Sequence, residues 1–185
     1  MIGAWKDLFM NFNEIEIYKN DIFKIEADAL VSPANSFGFM GGGLDYYINK
    51  FFNYKMEEKV KNTIKEKYKG FLPVGHALVI KTDSKKFPYL ISAPSMEVPL
   101  DVSSTINAYL AMRAILMVII DYNNENNQAI KSVVIPGLAG ATGRMPFKRI
   151  AFQMLKAYES IIKKEIYDFS SLKQAKKFYQ KLKTY

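Results

Sequence analysis

DALVSPANSFGFMGGGLDYYIN, residues 28–49, decides the fold. It opens on Ala29-Leu30-Val31, short and apolar, which reads as a buried strand. Ser32-Pro33-Ala34-Asn35-Ser36 breaks that run with a loop composition. Gly41, Gly42 and Gly43 follow, and Leu44-Asp45-Tyr46-Tyr47-Ile48 begins a helical pattern. Strand, glycine loop and helix start form a geometry that receives an anion. Glycine lets the backbone approach, and the first helical N–H groups point at the ligand with the positive end of the dipole behind them. The run also falls at the carboxyl end of a strand, where open α/β sheets bind ligands. A glycine run can equally be a plain connection, and these residues alone leave that open.

A second stretch repeats the design. Ser132-Val133-Val134-Ile135 is a short buried strand that runs into Pro136-Gly137-Leu138-Ala139-Gly140-Ala141-Thr142-Gly143-Arg144-Met145. Pro146 then suits the first turn of a helix from Phe147 to about Lys164. Two such loops at one sheet edge would grip a diphosphate from two sides with backbone N–H groups. Neither carries a Walker lysine and neither reads Gly-x-Gly-x-x-Gly, so a dehydrogenase reading is weak.

Outward from these loops, strands and helices alternate. A short helix within residues 1–13 is expected to dock on the core through Trp5, Leu8, Phe9 and Phe12. Glu14-Ile15-Glu16-Ile17-Tyr18 alternates and reads as a half-buried strand. Asp21 follows in a turn, where a cap is its plainest role. Helices are expected over 45–52, 54–68, 105–122 and 170–183, with Ser103 or Ser104 capping the third. Strands are expected over 76–81 and 89–93. The pattern predicts one α/β domain over 1–185, with a core of about 14–160 and an appended helix over 168–185.

Composition fits a globular chain of 185 residues, 49% hydrophobic and 24% charged. No cysteine is present, which excludes disulfides and thiolate catalysis. One histidine, His76, makes a His-rich metal site impossible, and a strand-end surface position is the expected role. No metal and no cofactor is expected. No apolar run approaches a membrane span, and no basic-then-apolar leader is visible, so a cytoplasmic protein is expected. The net charge of +8 attracts anions, either a pyrophosphate ligand or nucleic acid, although the lysine-rich stretches 55–69 and 163–183 read mainly as solvated helix faces.

Taken together, the two loops resemble the macro domains that bind ADP-ribose. The family's first motif, Asn-Ala-Ala-Asn, a spacer, glycines and Val-Asp, is similar to Ser32-Pro33-Ala34-Asn35, a spacer, Gly41-Gly42-Gly43-Leu44-Asp45. The ten-residue step from Asn35 to Asp45 is that of the hydrolytic branch. The second motif is similar to Pro136-Gly137-Leu138 through Gly143, and the turn after Tyr18 resembles the family's Gly-Asp-Ile. The resemblance covers about residues 14–158.

It implies a three-layer α/β/α sandwich around a mixed, largely parallel sheet. It implies that Asp21 accepts the adenine amino group and that Ile22 donates a backbone N–H nearby. Ala34, Gly41, Gly42 and Gly43 would line the distal ribose, with Asn35 binding it. Gly137, Ala139, Gly140, Ala141, Thr142 and Gly143 would hold the diphosphate. Asn35 and Asp45 would be the catalytic pair, Asp45 activating water or a ribose hydroxyl at C1″. The expected activity is hydrolysis of an ADP-ribosyl ester, of O-acetyl-ADP-ribose or of ADP-ribose 1″-phosphate; a binding module without chemistry is the alternative. The expected partners are ADP-ribose and ADP-ribosylated proteins or metabolites. The sequence departs from the family at Ser32-Pro33, at Met40 in place of a fourth glycine, at Ser92 in Ile91-Ser92-Ala93, and at Arg144-Met145. Arg144 stands where an aromatic is common and would stack or pair with phosphate. On the residues alone, Asn35 also suits bracing its own loop, and Asp45 also suits a helix's first turn. Phe37, Phe39 and Tyr46 suit either a pocket wall or a core cover.

Overall fold

The structure is a computed structural model that describes residues 2–127 and 129–185. Four strands form one mixed sheet, in the order β2-β3-β1-β4: β1 (Ala29–Ser32), β2 (Leu78–Lys81), β3 (Tyr89–Ser92) and β4 (Val133–Val134). β1 runs parallel to β3 and to β4, and β2 closes one edge antiparallel to β3. β4 is only two residues long, and Asp28 secures its entry. The Asp28 carboxylate accepts from the N–H groups of Lys131 and Ser132 at 2.8 and 2.9 Å and from the Ser132 hydroxyl at 3.1 Å.

Alternation along the strands splits the core into two layers. Ala29 and Val31 of β1 and Ile91 of β3 face one side, while Leu30 and Leu90 face the other. The first side is covered by α1 (Ile2–Phe9), α4 (Asn107–Glu125) and α5 (Phe147–Ile161). The second is covered by α2 (Gly43–Phe51) and α3 (Met56–Tyr68). This is the expected α/β/α sandwich. Met56, Val60 and Ile64 make the inward stripe of α3 at four-residue spacing, each 1% exposed, as their periodicity predicts.

The expected strand over 14–18 is irregular chain instead. Side chains anchor it where a ladder would. Glu14 binds both the Tyr158 hydroxyl and the Lys163 ammonium at the end of α5, and Ile15 packs on the same side of the core. Neither Ser103 nor Ser104 caps α4, which starts at Asn107 with no side-chain cap. His76 sits in the loop before β2, exposed, with its ring edge-on to Tyr68 at 5.6 Å.

The helix α6 (Leu172–Thr184), capped by Ser171, docks on α5. Leu182 is buried, and Tyr185 stacks flat on Phe152 at 3.9 Å. The joint is polar at its centre. Gln153, fully buried, accepts from the Tyr109 N–H and donates to the carbonyls of Thr105 and Leu182.

Candidate functional site

Parallel pairing brings the two glycine loops together. β1 and β4 are adjacent and point the same way, so the chain leaves both at one sheet edge. The chain leaving β3 joins them there. Ser95 N–H donates to Ala34 O, Ser36 N–H donates to Glu97 O, and Val102 N–H donates to Gly143 O, all at 3.0–3.1 Å.

In the first loop the Asn35 side chain is a hub. Its Oδ1 accepts from the N–H groups of Phe37 and Phe39 at 3.2 Å, and its Nδ2 donates to Phe39 O at 2.7 Å. One amide hydrogen remains for a ligand. Glu57 of α3 reaches across to accept the Met40 N–H at 2.9 Å. Beyond Met40 the accounting changes. Among the described residues, the N–H groups of Gly41, Gly42, Gly43, Leu44 and Asp45 donate to no protein acceptor, and α2 has no side-chain cap. A Cβ added at Gly41, Gly42 or Gly43 would meet nothing within 4 Å. Gly42 is extended, at φ −146, so the fold itself has no steric need for glycine there.

Asp45 lies in the first turn of α2 and is only 8% exposed. The Ser32 hydroxyl donates to its Oδ1 at 2.6 Å. Burial pushes this carboxyl up from the usual 3.8 to about 6, and the Ser32 hydrogen bond opposes the rise. The group is therefore mostly ionised at neutral pH and able to take a proton.

The second loop folds on itself. Met145 N–H donates to Ala139 O and Arg144 N–H to Ala141 O, with Ala139 and Arg144 at positive φ. The N–H groups of Gly140, Ala141, Thr142 and Gly143 donate to no protein acceptor among the described residues. Gly143 is essential to this turn, because a Cβ there would stand 2.5 Å from Ala139 O and 2.7 Å from Val102 Cγ2. Thr142 is exposed, and the Arg144 side chain is 78% exposed with its guanidinium 4.0 Å from Asp101. Gly137 rests over the Trp5 ring. Two short runs of unpaired donors, one on each of two adjacent loops, form a cradle suited to an anion with two charged centres.

Asp21 and Ile22 lie in a separate segment ahead of β1. Asp21 caps a single 3-10 turn, residues 22–24, by accepting the Phe23 N–H at 3.0 Å. Phe23 stacks on Phe51 at 4.9 Å, which sets this turn beside the far end of α2. Phe37, Phe39 and Tyr46 are exposed and form a rim beside the first loop, with Lys61 over the Phe39 ring at 3.8 Å. A cavity of about 460 Å³ adjoins the first loop, between Asn49, Tyr54 and the α3 residues Glu57 and Lys61; one of about 370 Å³ lies between α3, β2 and α4. Sequence reading missed Glu57 and gave Trp5 only a core-docking role, whereas both support the loops from remote positions; no local motif marks such contacts.

The sequence model of the macro domain family matches residues 31–154. An uncharacterized protein of Aquifex aeolicus is 32% identical over 143 residues, which are 77% of this chain and 79% of that protein. Among solved structures, the macrodomain of Mycobacterium tuberculosis DarG superposes with a TM-score of 0.64 at 19% identity, over 77% of this chain and 88% of its own. Thermosipho africanus DarTG in complex with ADP-ribose superposes with a TM-score of 0.60 at 18% identity, over 80% of this chain and 38% of its own. At these identities the structural likeness speaks for the fold.

Proposed function

The chain belongs to the macro domain family, and from this we propose that it binds ADP-ribose across the two glycine loops and hydrolyses an ADP-ribosyl ester or related derivative there. The observation that carries the binding reading is the pair of unpaired N–H runs, at residues 41–45 and 140–143, at one edge of the sheet. The diphosphate oxygens accept from the second run. The distal ribose lies against the first, where the open space at Gly41, Gly42 and Gly43 admits it. Arg144, largely free in solvent, is placed to pair with phosphate.

The hydrolytic step uses Asp45 as base. Its carboxylate takes a proton from water as the oxygen attacks the ester carbon. The acyl carbon–oxygen bond to the ribose breaks, Asp45 returns its proton to the departing ribose oxygen, and ADP-ribose and the free acid are released. A 1″-phosphate would split in the same sense, to ADP-ribose and inorganic phosphate. Titration calorimetry with ADP-ribose followed by an ester-hydrolysis assay tests both parts. Asp45→Ala is expected to keep ADP-ribose affinity within about threefold and to lower turnover by about 100-fold or more. Unchanged turnover in that variant removes Asp45 from the mechanism.

One observation favours the second reading, a binder without chemistry. Asn35 spends two acceptor contacts and one donor on its own loop, which leaves it little capacity to position a ribose for reaction. Binding without hydrolysis of any of the three ester or phosphate derivatives would select that reading.

A further inference from the structure

We propose that Ser32 is the positioning residue of Asp45: its hydroxyl fixes one carboxylate oxygen so that the other faces the reacting bond. This rests on the reading of Asp45 as the base, and it adds the group that aims it. Ser32 is the last residue of β1 and is 1% exposed. Its Oγ donates to Asp45 Oδ1 at 2.6 Å, inside the protein and across thirteen residues of sequence. Oδ2 accepts from no protein group among the described residues, and it is not among the sealed, partnerless atoms. The carboxylate is therefore held at one oxygen and free at the other, the arrangement a directed base requires.

The neighbouring strand carries a second buried hydroxyl. Ser92 stands directly opposite Ser32 in the β1–β3 ladder, on the face shared with Leu30 and Leu90. It is 1% exposed, and its hydroxyl has no partner among the described residues. Two hydroxyls thus lie side by side at the end of an otherwise apolar layer. The Ser32 hydroxyl is satisfied by Asp45, whereas the Ser92 hydroxyl carries an uncompensated desolvation cost.

The charged groups on neighbouring elements do not compete for this role. Glu57 and Lys61 of α3 are paired with each other, Lys50 and Tyr46 of α2 are exposed, and β3 contributes only Ser92.

The test compares wild type, Ser32→Ala and Ser32→Thr in the full chain. Carboxyl-carbon NMR follows the Asp45 titration directly, and the pH profile of ester hydrolysis follows it through turnover. The hydroxyl bonds the charged form, so its loss should move the Asp45 midpoint upward by about one unit. The acid limb of the turnover profile should shift by the same amount, while ADP-ribose affinity stays within about threefold. Ser32→Thr should restore the wild-type midpoint. An unmoved midpoint in Ser32→Ala, or a moved one that threonine does not restore, overturns the proposal. If ADP-ribose binds and the midpoint moves as expected while no variant hydrolyses any derivative, the enzymatic reading fails and the positioning contact stands.

Discussion

Asp45 sets two demands against each other. A carboxyl whose folded pKa is raised holds its proton more tightly folded than unfolded. Its contribution to stability is therefore lost as pH climbs from 3.8 to about 6, and it stays lost above that. The difference of about two units amounts to roughly 2–3 kcal/mol. Asp45→Asn removes that titration. We expect the variant to be more stable than wild type by on the order of 1–2 kcal/mol at pH 7.5 and no more stable at pH 4, measured by urea unfolding at both. Glycine supplies a second contrast at the same scale. Gly42→Ala meets open space at an ordinary φ and should change stability by less than about 0.5 kcal/mol. Gly143→Ala drives a methyl into Ala139 O and Val102. We expect it to cost about 2 kcal/mol or more and to weaken ADP-ribose at least tenfold, read by thermal unfolding and calorimetry. Both glycines are equally visible in the sequence. Only the surroundings, carried in from Val102, separate the one the fold needs from the one it does not.

Elements with a strong period were legible from sequence, and those held by remote contacts were not. The stripe of α3, the buried strands β1 and β3, and the helix after Pro146 all follow from apolar spacing. The segment 14–18 has the alternation of a strand, yet its partner is α5. Glu14 is drawn to Tyr158 and Lys163, more than 140 residues away. The Ser32–Asp45 bond was invisible for the same reason, although both residues stood in the quoted stretch; a serine after an apolar run reads as the start of a loop. Gln153 went unremarked as one polar residue in an amphipathic helix. It is the joint of three elements, and replacing it with leucine would strand the Tyr109 N–H and two carbonyls in the interior. We expect Gln153→Leu to cost about 2–4 kcal/mol. Amide exchange over residues 172–184 should rise by at least tenfold in that variant; unchanged protection there would show that α6 is held by its apolar side alone.

For the whole molecule, the fold delivers two loops to one edge because adjacent parallel strands share a direction. The loop sequences do not need to find each other. On the proposed reading, ligand bound across both loops would tie β1 to β4 at the end opposite Asp28. Saturation at a hundredfold over Kd adds about 2.7 kcal/mol, which for a chain of this size is a rise of roughly 5–10 °C in Tm. No shift with millimolar ADP-ribose would count against both the enzyme and the binder. The unpaired donors of the cradle have a practical side as well. On a chain of net charge +8 they are open to any small oxyanion, so ammonium sulfate used in purification, or a phosphate buffer, occupies the same donors. Affinities taken in such media will read too weak, and chloride or acetate salts are the medium in which this cleft should be titrated.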